Sequence, residues 1–125
     1  MYRILVPTFE EIVEINKGTE NGRLLKETSL IHVVSRLEAL RLSGDRKKDI
    51  IKAVAILWIE IIEGHPFLDG NKRTATESVK IFLSLNDFKL KTPENGLIYI
   101  SLKIANNEMG FEKLTKWLED NIESL

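Results

Sequence analysis

One stretch of the sequence, His65 to Arg73, combines residue types that could transfer a phosphorus-containing group; it reads HPFLDGNKR and is called the motif below. His65 can take up a proton near neutral pH, and Asp69 is a hard oxygen ligand of the kind that Mg2+ prefers. Lys72 and Arg73 can neutralise phosphate oxygens. Gly70 lets the backbone turn sharply or approach a ligand closely. We interpret the motif as a candidate site for phosphate chemistry.

Two predicted helices flank the motif. A strongly apolar helical pattern runs up to Gly64, and a second helix is predicted to begin near Asn71 or Lys72. The motif is therefore a tight connection that delivers the chain to a helix start. Backbone N–H groups at such a start have no partners inside the helix and lie at the positive end of its macrodipole, so a phosphate is stabilised there.

The helix before the motif is predicted to hold His65 in position. It is expected to begin after a cap at Asp45 and to run through Glu63, and apolar residues cover almost its whole circumference. A helix so apolar must be central and surrounded by its neighbours. His65 then follows a well anchored element, which is how a catalytic group is kept in place.

These residue types suggest transfer of a phosphoryl or nucleotidyl group from a nucleotide to a hydroxyl. His65 would accept the hydroxyl proton as general base, an effect typically worth about 100- to 10,000-fold in rate. Asp69 would hold the Mg2+ that bridges phosphate oxygens, and Arg73, aided by the helix N–H groups, would stabilise charge in the transition state. The remaining phosphate contacts are assigned to Gly70, Asn71 and Lys72.

Each of these residues also has a purely structural interpretation. Asn71 could be no more than the helix cap, Asp69 a turn-forming residue and His65 a buried, hydrogen-bonded histidine. Their joint spacing is hard to explain by turns and caps, which favours the functional interpretation. Pro66 and Phe67 we assign to structure, since proline stiffens the turn and phenylalanine fills the core beneath it.

Length and composition narrow the class of protein. The 125 residues, 43% of them apolar, indicate one domain spanning residues 1–125. With 18 basic against 19 acidic residues there is no electrostatic footprint for a nucleic acid, which disfavours a nucleic-acid binder. Charges at Lys52, Glu60 and Glu63 interrupt the longest apolar stretch, so we expect a cytoplasmic protein without a membrane partner. A catalytically silent helical adaptor remains an alternative to an enzyme.

Apolar periodicity predicts an all-α, single-domain bundle of six helices. The predicted starts are Thr8, Thr28 or Ser29, Asp45, Asn71, Thr92 and Phe111. One face of the first helix carries Phe9, Ile12, Val13 and Asn16. Residues 17–27 are expected to be a loop and residues 3–6 an extended edge segment. Gly44 is expected to end the second helix, Asn86 to be a left-handed cap after the fourth, and Ile122 to lie on the last helix.

The motif resembles the signature of the Fic/Doc family, HPFx(D/E)GN(G/K)R, and matches it at every fixed position. Lys72, the chain length and the Thr74-Ala75 pair that follows are similar to the short Doc branch, the death-on-curing toxins. This resemblance implies a Fic-fold helical domain that uses ATP and Mg2+, with His65 as base, Asp69 for the metal, and phosphate contacts from the glycine turn onwards.

The resemblance implies two reactions between which the motif does not decide. Fic proteins move AMP from ATP to a Ser, Thr or Tyr hydroxyl of a target protein, whereas Doc toxins bind the nucleotide reversed and phosphorylate a threonine of elongation factor Tu. AMP-transferases of the family usually carry glycine where this chain has Lys72, which favours phosphoryl transfer. Pro66 and Gly70 are instead the Fic consensus residues, so AMP transfer is the alternative.

The resemblance also has implications for how the activity of the protein is inhibited. Self-inhibited Fic proteins carry (S/T)xxxE(G/N), whose Glu blocks the γ-phosphate position. Thr115 and Glu119 have this spacing here, but Asp120 follows them, and Trp117 indicates a packing helix. Similarity to Doc implies a separately encoded antitoxin, whose disordered tail would fold as a helix into an apolar groove of the toxin.

Overall fold

Six helices and two short strands make up the fold, in a computed structural model that describes residues 2–125. The helices are α1 (Phe9–Lys17), α2 (Glu27–Glu38), α3 (Arg46–Gly64), α4 (Asn71–Leu85), α5 (Glu94–Ala105) and α6 (Phe111–Asn121). The strands β1 (Phe88–Leu90) and β2 (Ile122–Ser124) pair antiparallel. The predicted all-α bundle with six helices is confirmed, and the small sheet is an addition to it.

Helix α3 is the centre of the core. It packs against α2, α4, α5 and α6, and its side chains Ile50, Val54, Leu57, Trp58 and Ile61 are fully buried. Asp45 caps it, since the Asp45 Oδ1 accepts a hydrogen bond from Lys48 N at 3.1 Å. The prediction of a central apolar helix that leads into the motif is therefore confirmed.

The predicted boundaries of α2 are wrong at both ends. The helix begins at Glu27, before the predicted caps Thr28 and Ser29, because the preceding N–H groups of Leu25 and Lys26 both donate to Pro66 O. A contact with the motif thus fixes where the chain enters the helix. The helix ends at Glu38, well before the predicted stop at Gly44. Ser43 instead donates both its backbone N–H and its hydroxyl to the carboxylate of Asp49.

Two predictions, those for Ile122 and Asn86, also need correction. Ile122 does not continue α6, because it pairs with Leu90 in the small sheet. Asn86 has φ −113° and is not left-handed; its side chain bonds the N–H and carbonyl of Leu5, and Asp87 takes the left-handed conformation at φ 71°. Residues 3–6, predicted as an extended edge segment, form no strand, and the two hydrogen bonds with Asn86 hold Leu5 in place.

Candidate active site

His65 is exposed at the point where α3 ends. It follows Gly64, the last helical residue, and adopts the left-handed conformation with φ 45° and ψ 56°. Non-glycine residues rarely adopt this conformation, and it turns the chain sharply out of the helix. Within residues 2–125 the imidazole has no hydrogen-bond partner. The interpretation of His65 as a buried histidine is wrong, and its ring is accessible from solvent.

Phe67 and Asn71 anchor the motif to the fold. Phe67 is 2% exposed and lies in the hydrophobic core, as predicted. The Asn71 side chain holds the same residue, because its Oδ1 accepts from Phe67 N at 3.1 Å and its Nδ2 donates to Phe67 O at 3.0 Å. Asn71 is therefore a brace of the loop, with one amide N–H left over for a phosphate.

The segment before α2 braces the motif from the other side. Pro66 O accepts from both Leu25 N and Lys26 N, and Leu68 N donates to Arg23 O at 2.8 Å. Leu24 and Phe67 form an isolated antiparallel bridge. The predicted loop between α1 and α2 therefore lies against the motif and restrains it.

Gly70 makes the sharp turn that starts α4. It has φ +74°, and a Cβ at this position would lie 2.5 Å from Thr19 Oγ1. Both the backbone conformation and the space require glycine. The preceding Asp69 is exposed, and its Oδ1 accepts from Gly70 N at 2.8 Å. Asp69 is thus a turn former, as its structural interpretation required, but its second carboxylate oxygen remains available.

The start of α4 is open to an anion. Its N-cap is Gly70, no side chain bonds its first N–H groups, and no acidic residue lies in its first turn. Each of the other five helices of residues 2–125 has at least one acidic residue in its first turn. Lys72 is exposed and forms no ion pair with a described residue. A phosphate would supply the negative charge that this helix start lacks.

Arg73 belongs to an ion-pair cluster on α4 and α5. Its Nη1 lies 3.5 Å from Glu94 and 3.9 Å from Glu77, and Lys80 lies closer to both carboxylates, at 2.8 and 3.1 Å. The hydrogen bond from Lys80 holds the pKa of Glu94 below its usual value, and the same bond raises the pKa of Lys80. Lys80 thus contacts both carboxylates, so each would keep one basic partner if Arg73 turned away from them.

A cavity of about 540 Å³ lies beside the turn and brings three predicted residues together. Asp69, Gly70 and Arg73 line it, with Thr19, Glu20 and Glu77 among the surrounding residues. His65, Asn71 and Lys72 are not among its lining residues. The structure thus brings the candidate metal ligand together with two of the four candidate phosphate residues, and places His65 at the other end of the connection.

The residues at the cavity suit a Mg2+ ion that arrives with a nucleotide. Such an ion is held in proteins by one or two carboxylates together with the phosphates of the substrate. Asp69 supplies one exposed carboxylate with a free oxygen next to Arg73. In residues 2–125 no three His, Cys, Asp or Glu side chains are grouped to hold a metal ion by themselves. The donor set therefore fits a shared ion and not a protein-only site.

The C-terminal sequence with inhibitory spacing lies far from the motif. Thr115 and Glu119 line a second cavity, of about 530 Å³, together with Lys47 and Lys48 at the start of α3. The motif follows the opposite end of this helix of 19 residues, which is about 28 Å long. Trp117 packs edge-on against Trp58 with ring centroids 5.9 Å apart, so α6 is a packing helix, as its sequence indicated.

Asn16 and Thr19 are contacts of the motif that the sequence did not reveal as such. Asn16 was placed on the apolar face of α1, and a single amide among apolar side chains is a signal that it bonds something buried. Its Nδ2 donates to Asp69 O at 2.9 Å. Thr19 lies against Gly70. Both contacts cross long stretches of sequence, so no local pattern identifies them.

Comparison with known proteins identifies one family. A sequence model described as "Fic/DOC family" matches residues 7–83, which is more than half of the chain and includes α1, α2, α3, most of α4 and the whole motif. No curated protein matches the chain. No helix of residues 2–125 is long and apolar enough to cross a membrane.

Proposed function

Because the chain belongs to the Fic/DOC family, whose members are in general transferases that act on ATP, we propose that it transfers the γ-phosphoryl group of ATP to a Ser or Thr hydroxyl of a target protein. The observation that carries this proposal is the open start of α4, which has neither a side-chain cap nor an acidic first turn. Two exposed basic residues, Lys72 and Arg73, follow the turn that the motif makes there.

In the proposed reaction the hydroxyl oxygen attacks the γ-phosphorus while its proton passes to the imidazole of His65. The new P–O bond forms as the bond between the γ-phosphorus and the bridging oxygen breaks, and ADP leaves with that oxygen. The exposure of His65 allows a side chain of another protein to reach it. The left-handed backbone conformation at the end of α3 sets the point at which this side chain leaves the chain.

The start of α4 would stabilise the negative charge on the transferred phosphoryl group. The backbone N–H groups there point to the phosphates, and Arg73 exchanges its longer contacts with Glu94 and Glu77 for phosphate oxygens. A Mg2+ ion bound with the nucleotide would neutralise further charge, with Asp69 as its protein ligand. Asn71 and Phe67 keep the loop from moving during the step.

AMP transfer is the second candidate, and two residues favour it. Pro66 and Gly70 match the Fic consensus, whereas Lys72 matches the Doc branch. In AMP transfer the hydroxyl would attack the α-phosphorus, and pyrophosphate would leave. The same histidine and the same helix start would serve either reaction. An experiment must therefore determine whether the α- or the γ-phosphorus of ATP is transferred.

The experiment that separates these functions follows the label from ATP. The chain is incubated with a cell lysate and ATP labelled at the γ- or the α-phosphate. We expect label from the γ-position on a protein, its loss with His65→Ala, and its retention with the matched control His32→Ala, an exposed histidine on α2. Label from the α-position would show AMP transfer. No label from either, with both variants alike, would show an adaptor.

We propose further that the protein is the toxin of a toxin–antitoxin pair, with elongation factor Tu as the first target to test. The support is the Doc-like Lys72, together with the position of α6, which keeps its inhibitory spacing beside Lys47 and Lys48 and away from the motif. Expression alone should arrest growth, and co-expression with the neighbouring open reading frame should relieve it. Absence of any interaction between the two products would refute this partner.

A further inference from the structure

Asn16 of α1 is a buried side chain that holds the motif from outside. It is 1% exposed, and its Nδ2 donates to two acceptors, Asp69 O at 2.9 Å and Thr74 Oγ1 at 3.0 Å. Asp69 lies in the turn and Thr74 in the first helical turn after it, where it is fully buried. One amide group therefore fixes the turn relative to the helix start that follows.

Thr19 adds a second restraint to the same turn. Asn16 O accepts hydrogen bonds from Thr19 N at 2.9 Å and from Thr19 Oγ1 at 2.6 Å, which places the Thr19 side chain against Gly70. The end of α1 thus holds Asp69 by a hydrogen bond and Gly70 by close packing. These contacts leave the peptide between the two residues little freedom to rotate.

The direction of the Asp69 carboxylate depends on that peptide. The side chain itself is exposed and has only the bond from Gly70 N among the described residues, so its packing does not hold it. Its backbone is held at the carbonyl by Asn16. When the peptide is held, the Cα of Asp69 is held with it and fewer directions are open to the Cα–Cβ bond, which favours a carboxylate at the cavity that it shares with Arg73.

Asn16 is a costly residue at this position if its role is only to fill space. Its Oδ1 is buried and has no partner among residues 2–125. An unpaired buried polar atom is unfavourable, and apolar residues such as Ile12 already occupy the same face of α1. What an apolar side chain could not provide is the pair of N–H groups, and one of these is used on Asp69.

We propose that Asn16 is a positioning residue for Asp69, which sets the carboxylate for the divalent cation that accompanies ATP. The inference rests on the proposed function, because it concerns the residue assigned there to the metal. Asn16 acts through Asp69 and does not touch the nucleotide. Groups that orient a metal ligand in this way typically contribute about 10- to 100-fold to metal affinity or activity.

The test measures the affinity for ATP by titration calorimetry with and without Mg2+. The ratio of the two affinities is called the Mg2+ gain. Asn16→Leu and Asn16→Ala remove the N–H donors, and we expect each to reduce that gain by about 10-fold. Asn16→His should restore most of it, because imidazole Nδ1 lies the same number of bonds from Cα as the amide nitrogen of asparagine. ATP binding without Mg2+ should change less than twofold in all three.

The matched control is Asn86→Leu. Asn86 is also 1% exposed and also donates from its amide to backbone carbonyls, those of Leu5 and Phe82, at the far end of α4. Its loss should lower the denaturant concentration at the unfolding midpoint and leave the Mg2+ gain unchanged. If Asn16→Leu and Asn16→Ala keep the full gain, if Asn86→Leu loses as much, or if Asn16→His restores nothing, the inference is overturned.

Asp69→Asn separates a failure of this inference from a failure of the proposed function. It should remove the Mg2+ gain almost completely. If it does so while the Asn16 variants keep the gain, Asp69 holds the metal without help from Asn16, and only the inference fails. If Asp69→Asn keeps the gain, the metal assignment under the proposed function fails and the inference fails with it.

Discussion

The starts of α3 and α4 look alike in sequence and differ in what they can bind. Basic residues lie in both first turns, Arg46 to Lys48 in one and Lys72 with Arg73 in the other. Each start lies beside a cavity of similar size, about 530 Å³ and about 540 Å³. Basic side chains, a helix start and a cavity of this size are therefore not enough to identify a phosphate site.

The difference lies in how the first N–H groups are used. In α3 one of these groups, Lys48 N, donates to the side chain of Asp45, and the guanidinium of Arg46 donates to Asn86 O at 2.9 Å. At α4 the capping position is Gly70, which has no side-chain acceptor to offer. A cap of this kind is typically worth about 1 kcal/mol. The fold does without that stabilisation at α4, and the N–H groups remain available for a ligand.

The largest expected effect comes from the basic residues of the two starts. Arg73→Ala should lower the rate of transfer by about 100- to 1,000-fold, since loss of one donor to the developing charge typically has this cost. Lys47→Ala, at the capped start of α3, should leave the rate within twofold. Transfer of label from ATP measures both. Equal losses in the two variants would mean that overall charge, and not the open helix start, matters.

Gly70→Ala should be the most damaging change to the fold around the motif. The left-handed φ of +74° and the approach of Thr19 Oγ1 to 2.5 Å both oppose a Cβ. We expect a loss of more than about 1 kcal/mol in the free energy of unfolding, measured by urea denaturation.

Gly110→Ala is the matched control for that change. Gly110 precedes α6 with φ −85°, and nothing lies within 4 Å of an added Cβ. The free energy of unfolding should stay within about 0.5 kcal/mol of the wild type. A stable Gly70→Ala protein would contradict the close approach of Thr19.

Asp45→Ala would make the start of α3 resemble that of α4. Loss of the cap should cost about 1 kcal/mol in the free energy of unfolding, since Lys48 N loses its acceptor. ATP affinity, measured by calorimetry, should not change, because the motif lies at the other end of the helix. A second ATP bound by this variant would show instead that removal of a cap is sufficient to create the site.

The smallest expected effect is on the loss of folding stability at low pH, to which Asp49 contributes. Burial alone would raise the pKa of Asp49 in the first turn of α3, but hydrogen bonds from Tyr2 and Ser43 outweigh it and lower the pKa below its usual value of 3.8. A lowered folded-state pKa gives stability that is present above pH 3.8 and is lost as the pH falls through the folded value.

The Asp49→Asn variant should therefore be less stable than the wild type at neutral pH. It should also lose less stability than the wild type when the pH falls below 3.8. Urea midpoints at several pH values measure the difference. Parallel pH curves for the two proteins would show that Asp49 is not responsible for the acid sensitivity.

The sequence predicted those features that depend on neighbouring residues. Asp45 and the apolar circumference of the next helix are local signals, and the structure has both. The position of the motif between two helices follows from the same signals. The pairing of Ile122 with Leu90 and the early start of α2 depend on partners more than 30 residues away, so local periodicity could not reveal them.

The candidate site shows the same division. The residue types of the motif identified the open helix start and the glycine turn, because composition alone carries that information. The brace from Asn16 to Asp69 joins residues 53 positions apart and depends on how α1 packs against α4. The cluster around Arg73 likewise needed the position of α5, which brings Glu94 to it.

The carbonyl of Pro66 accepts two consecutive amides, Leu25 and Lys26, and Leu68 donates in return to Arg23. These bonds make the segment before α2 and the loop below His65 a single unit in solution. Solvent deuterium can reach the three amides only when that unit separates, so their exchange rates should rise and fall together. A ligand that binds the loop should then also slow amide exchange on the neighbouring segment.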